Sequence, residues 1–143
     1  MKSKKIWLII VPLVLIALII GGFVMWQNKV KEDEKQALKR NRKYEVSLVK
    51  ALKNSYSGIE EIRISYPVYS SKPSDSWGAD VKIIFSNNES VQHEMAYDLK
   101  SKEIRIGVYN EQDEKVEAFL NARKGVTTKY VVVIYSSGKK GEQ

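Results

Sequence analysis

The chain predicts an α+β domain behind an N-terminal transmembrane helix, with a helix packed on a small antiparallel sheet in the order α-β-β-β-β-α-β. Three observations predict it. Residues 6–26 form a run of 21 positions without a charged side chain. Residues 29–55 contain neither Gly nor Pro and are rich in good helix formers. Past Gly58 the apolar spacing falls from about four residues to two, the period of a half-buried strand.

As a helix the first run would span roughly 31 Å, close to the hydrocarbon thickness of a bilayer. Lys2, Lys4 and Lys5 precede it, and Trp7 and Trp26 stand at its ends, where amphipathic rings favour the headgroup region together with Lys29 and Lys31. The run exceeds the core of a secretory signal, and bulky Phe23, Met25 and Trp26 make a poor cleavage site. An uncleaved single-pass anchor is therefore expected, with a cytoplasmic leader at 1–5 and the domain outside. The lysine and arginine count beyond the run points the other way, against a short leader whose three lysines and free amine resist translocation. Ala17 and Gly21 are a small-x-x-x-small pair of the kind that lets membrane helices approach and self-associate.

The net charge of +7 is uneven. Residues 1–28 carry three bases and no acid, residues 29–53 nine bases against four acids, and residues 54–143 twelve bases against thirteen acids. The excess thus flanks the apolar run and suits anionic lipid. A nearly neutral folded part argues against nucleic acid as a partner. The absence of cysteine excludes disulfides, thiolate metal sites and a cysteine nucleophile.

Residues 27–45 read as a charged helical stalk and 46–136 as the domain. Leu48, Val49, Leu52 and Tyr56 recur at helical spacing, and Gly58 is a helix stop. Ile62, Ile64, Tyr66 and Val68 alternate as one strand face, with Pro67 marking an edge or a bulge. A turn-rich loop covers 70–78. Ala79, Val81, Ile83 and Phe85 form the next face; Val91, His93, Met95, Tyr97 and Leu99 the third; Ile104, Ile106 and Val108 the fourth. Asn110 opens a helix with acids in its first turn and Val116, Phe119 and Leu120 on one face, ended by Gly125. Val131–Ile134 is apolar on both faces, as a central or covered strand requires. Residues 137–143 are expected to be a disordered tail.

Chemistry is sparse. His93 is the lone histidine, and an enzyme built on it would draw on Glu94 or Asp98. Neighbours on one strand point to opposite faces, so neither carboxylate joins it easily. Glu111, Asp113, Glu114 and Glu117 lack the spacing of a calcium loop, and helix-start electrostatics accounts for them. No phosphate loop, zinc spacing or dinucleotide fingerprint is present, so no cofactor or metal is expected and the chain is read as a non-enzyme. Tyr66, Tyr69 and Trp77, around the 70–78 loop, are the candidate partner contacts; the alternative for Trp77 is to tuck back onto the sheet.

The segment from Trp77 to Asn110, WGADVKIIFSNNESVQHEMAYDLKSKEIRIGVYN, resembles an uncharacterised family of short membrane-anchored proteins of Gram-positive bacteria. The layout is similar over residues 1–110 and the wording over 77–100. The resemblance implies a Gram-positive membrane protein with its domain outside, and carries no activity or site residues; the helix-then-sheet order also loosely resembles cystatin-like folds, an analogy that licenses no function. The expected role is a binding or accessory protein with an unknown protein or envelope partner, of the immunity or inhibitor kind. The alternatives are a structural subunit of a membrane complex or an envelope enzyme.

Overall fold

The computed structural model describes residues 31–70 and 76–143. The apolar run with Ala17, Gly21, Trp7 and Trp26, and Lys29 beyond it, lie outside them. Among the described residues no helix is long and apolar enough to cross a membrane.

Residues 31–55 are helical (α1). Those before Lys39 belong to a separate unit, and all of 31–36 are exposed, as a charged solvated segment should be. The folded unit runs from Lys39 to Gln143. Residues 39–45, read from the sequence as stalk, are therefore part of it: Tyr44 and Glu45 are buried, and Asn41 binds Trp77. The stripe read from the sequence forms the inner face of α1, with Leu48, Val49 and Leu52 fully buried. Each such side chain contributes about 1.5–3 kcal/mol by leaving water.

Six strands follow: β1 (Ile59–Ser70), β2 (Ser76–Phe85), β3 (Ser90–Tyr97), β4 (Ile104–Ile106), then helix α2 (Glu111–Asn121), β5 (Val132–Ile134) and β6 (Lys140–Glu142). They form one sheet in the order β4-β3-β2-β1-β5-β6. Alternation along β2 is as the sequence predicts at Ala79, Val81, Ile83 and Phe85, all buried, and Trp77, read as loop, extends the same buried face. On β3, Val91, Met95 and Tyr97 are buried and His93 is intermediate. The inner face packs on α1, and Phe119 of α2 meets Phe85 edge to face at 5.6 Å.

Four sequence expectations need correction. The sheet is mixed, because β5 pairs parallel to β1. The end of α2 is held beside the α1–β1 link, where Ser57 N–H donates to the Arg123 carbonyl and Tyr56 bridges Lys124. The chain thus leaves α2 next to the start of β1 and runs out in the same direction. Second, α2 stops at Asn121 and is capped by right-handed Ala122, before Gly125 is reached. Third, the loop read over 70–78 is shorter, since β1 runs to Ser70 and β2 begins at Ser76; of the edge or bulge that Pro67 marked, the bulge forms.

Fourth, the tail is ordered. β6 pairs antiparallel with β5, and Val131 and Gln143 exchange both backbone hydrogen bonds. Gln143 also donates from Nε2 to the Val46 carbonyl, and its own carbonyl accepts from Lys53 Nζ at 2.8 Å. The hairpin pairs the second edge of β5, and Val131 and Val133 are fully buried because they face the core.

Candidate functional site

β1 takes two residues out of phase with its own pattern. Between Ser65 and Val68 it advances three positions while β2 advances two, so one extra residue forms a bulge. Tyr66 carries φ +50, left-handed for a bulky residue, and Pro67 follows it. The side-chain phase flips there. Ile62 and Ile64 face the core, but Tyr66 is 82% exposed and Val68 65%, while Tyr69 returns to a half-buried position. The sequence placed Tyr66 and Val68 on the buried face; the bulge turns them outward.

Of the three candidate contacts, Tyr66 alone is on the open surface. Trp77 is 2% exposed, stacked on Tyr44 with ring centroids 5.4 Å apart, its Nε1–H donating to Asn41 Oδ1 at 3.2 Å. It is a core residue, and a partner cannot reach it. Tyr69 lies against Tyr44 at 6.0 Å, and the Arg40 guanidinium sits 4.1 Å over its ring. Lys31 is exposed.

Both helices pack on one face of the sheet, and a groove of about 500 Å³ opens over outward positions of β1 to β4 and is also lined by His93 and Asp113. The strand registers align Val68, Gly78, Ala96 and Arg105 across β1, β2, β3 and β4. Gly78 and Ala96 have little or no side chain, so they leave a trough between longer neighbours, and Glu94 and Tyr109 also line it. Tyr109 is 90% exposed, and its ring lies against the bare backbone of Gly107, where a Cβ would come within 2.5 Å of the ring. A side chain there would push the exposed ring aside. The groove escaped the sequence reading because it depends on cross-strand register; its only sequence sign is a pair of small residues at outward positions.

His93 meets Asp113, not Glu94 or Asp98. Its Nε2–H donates to the Gly107 carbonyl at 3.0 Å, and Nδ1 stands 3.7 Å from Asp113 Oδ1. Asp113 Oδ2 accepts from the Tyr109 backbone N–H at 2.9 Å, and the Asp113 N–H is capped by Asn110 Oδ1 at 2.9 Å. Both ring nitrogens are thus directed at groups within the fold, which tie the β4–α2 link to β3. Asp98 accepts backbone N–H bonds from Ser101 and Lys100 in the β3–β4 turn, which hold its carboxyl below the usual range. Among the described residues no group of histidines and carboxylates is placed to hold a metal ion.

No protein-family model, curated protein or solved structure matches the chain. The geometry of the groove and its surroundings therefore carries the functional reading.

Proposed function

We propose that the chain is a membrane-anchored binding or accessory protein of a Gram-positive cell envelope, held by residues 6–26 with its domain outside. The 21-residue uncharged run and its leading lysines support the anchor, and the resemblance over residues 77–100 supports the source and orientation. The cystatin-like analogy of a helix followed by antiparallel strands belongs to the same reading and adds no function of its own.

One observation carries the binding role: the groove over Val68, Gly78, Ala96 and Arg105, bounded by Tyr109 and reaching His93 and Asp113. It offers apolar contact at Val68 and Tyr109, charge of both signs at Arg105 and Glu94, and a floor low enough to admit a side chain or a short segment. Tyr66, beside Val68, is held outward by a left-handed backbone that a bulky residue adopts at a cost of about 1–2 kcal/mol. Such strain collects at sites of recognition. The partner is a protein or envelope component, and an immunity or inhibitor factor is the narrower form of the proposal. An enzyme centred on His93 is the weaker reading, because both nitrogens of its ring are directed at Gly107 and Asp113.

A photo-crosslinking amino acid placed at Val68 or Tyr109 of the full chain, in its native membrane, tests this. The expected result is a discrete crosslinked product that disappears when the same probe is at Lys50, which is exposed on α1. The same product pattern from all three positions would contradict the proposal.

A further inference from the structure

The β5–β6 hairpin brings a second set of cations to the start of the folded unit. Arg42 Nη2 donates to Ser137 Oγ at 3.1 Å, and its guanidinium sits 3.8 Å over the Tyr135 ring. Ser136 N–H donates to Glu45 Oε1 at 2.6 Å. These contacts fix the turn after β5 against the first turns of the domain's helix. Lys39 and Lys43 flank Arg42 on α1, and Lys139 and Lys140 follow the turn, Lys140 pairing with Ile134 and so pointing, like Glu142, to the sheet face away from α1. All four lysines are exposed, and none pairs with a described carboxylate. The carboxylate on this stretch of helix, Glu45, is 1% exposed and turned to the hairpin backbone, so it does little to offset them in solvent. Glu142, on β6, is the exposed acid of the hairpin.

We propose that Lys39, Arg42, Lys43 and Lys139, with Lys140 on the opposite face of the same hairpin end, form a basic end of the domain that docks on anionic phospholipid headgroups. The inference rests on the anchored reading above and adds a lipid-facing side to the domain itself. Positive charge complements the headgroups, and the tether selects them over other polyanions. Residues 27–38 separate Lys39 from the apolar run, a reach of about 18 Å as helix and about 40 Å fully extended. A link that short holds the bilayer at an effective concentration in the millimolar range, so weak ionic contacts suffice. The contact is also reversible, since exposed charges are screened within about 8 Å at physiological salt.

The test uses the full chain in lipid nanodiscs that carry a gadolinium-chelate headgroup, read by NMR relaxation of backbone amides. With about one third phosphatidylglycerol, amides at 39–43 and 137–140 should relax several-fold faster than those at Asn88 and Glu89. The difference should vanish in purely zwitterionic discs and in 0.5 M salt. It should also fall several-fold in Lys139→Gln/Lys140→Gln, which lies far from the anchor in sequence. Equal relaxation in both lipids would overturn the proposal, as would indifference to the hairpin variant, which would leave only the lysines next to the apolar run. Displacement by soluble poly(glycerol phosphate) would overturn it in favour of a wall polymer. The anchor is tested apart. A chain that fails to float with zwitterionic vesicles defeats the anchored reading, while salt-sensitive capture by anionic vesicles that needs Lys139 and Lys140 would still support the surface.

Discussion

Trp77 and Tyr44 stack with their planes 13° from parallel and their centroids 5.4 Å apart, joining the first turns of the domain's helix to the second strand. The pair makes the helix start part of the core. Trp77→Ala should lower stability by about 3–5 kcal/mol in urea unfolding. Asn41→Ala, which removes only the acceptor for the indole N–H, should cost about 1 kcal/mol. Unchanged stability in Trp77→Ala would mean that the indole is available to a partner after all.

Tyr66 should behave in the opposite way. Its side chain is exposed and its backbone is left-handed, so Tyr66→Gly removes little packing and relieves strain. Stability should hold or rise by about 1 kcal/mol, while the crosslinked product formed from Val68 should weaken. A loss of stability above about 1 kcal/mol would show that the ring packs on the sheet.

These two aromatics show what the sequence could and could not carry. Strands β2 and β3 were legible because regular alternation maps directly onto a sheet with one buried face. The N-cap of α2 was legible because Asn110 and Asp113 stand at the required spacing. Tyr66 was misplaced because a one-residue bulge inverts every later position on its strand, and Pro67 marked the bulge without giving the phase. Trp77 was ambiguous because it stands at the edge of a turn-rich loop, where the local pattern gives no sign of Tyr44 above it. The parallel pairing of β5 was illegible, since it depends on where α2 delivers the chain. The groove needed four strands in register before its floor existed.

The last strand was missed for a different reason. Lys139, Lys140, Gly141, Glu142 and Gln143 have a polar composition that reads as solvent-exposed tail. They pair because Val131–Ile134 presents an edge that must be covered. A chain ending at Gly138 loses the Val131–Gln143 backbone pair, the Lys53 and Val46 contacts of Gln143 and the Tyr135–Lys139 bond. At about 1 kcal/mol for each hydrogen bond, it should be destabilised by about 3–5 kcal/mol in denaturant unfolding. A disordered tail would give no change.

Asp98 gives the pH dependence. Its folded pKa lies below the ordinary 3.8, first because of the Ser101 backbone bond and then that of Lys100. The unfolded state therefore binds the proton more readily, and the carboxylate contributes stability above the unfolded pKa that is lost as pH falls through the folded one. Asp98→Asn keeps an acceptor oxygen and removes the charge. The variant should be less stable than the parent at pH 7, and the gap should close as the pH drops below about 4. A gap that stays constant from pH 7 to pH 3 would mean that the charge contributes nothing to the turn.

A domain that faces outward from a membrane anchor should be reachable from outside the cell. Gln112 is exposed on α2, and the chain has no cysteine of its own, so Gln112→Cys gives a single reporter. Intact cells carrying the full-length variant would be treated with a membrane-impermeant maleimide, and labelling compared with that after lysis. Equal labelling in both is expected. Labelling only after lysis would place the domain in the cytoplasm and contradict the outward orientation.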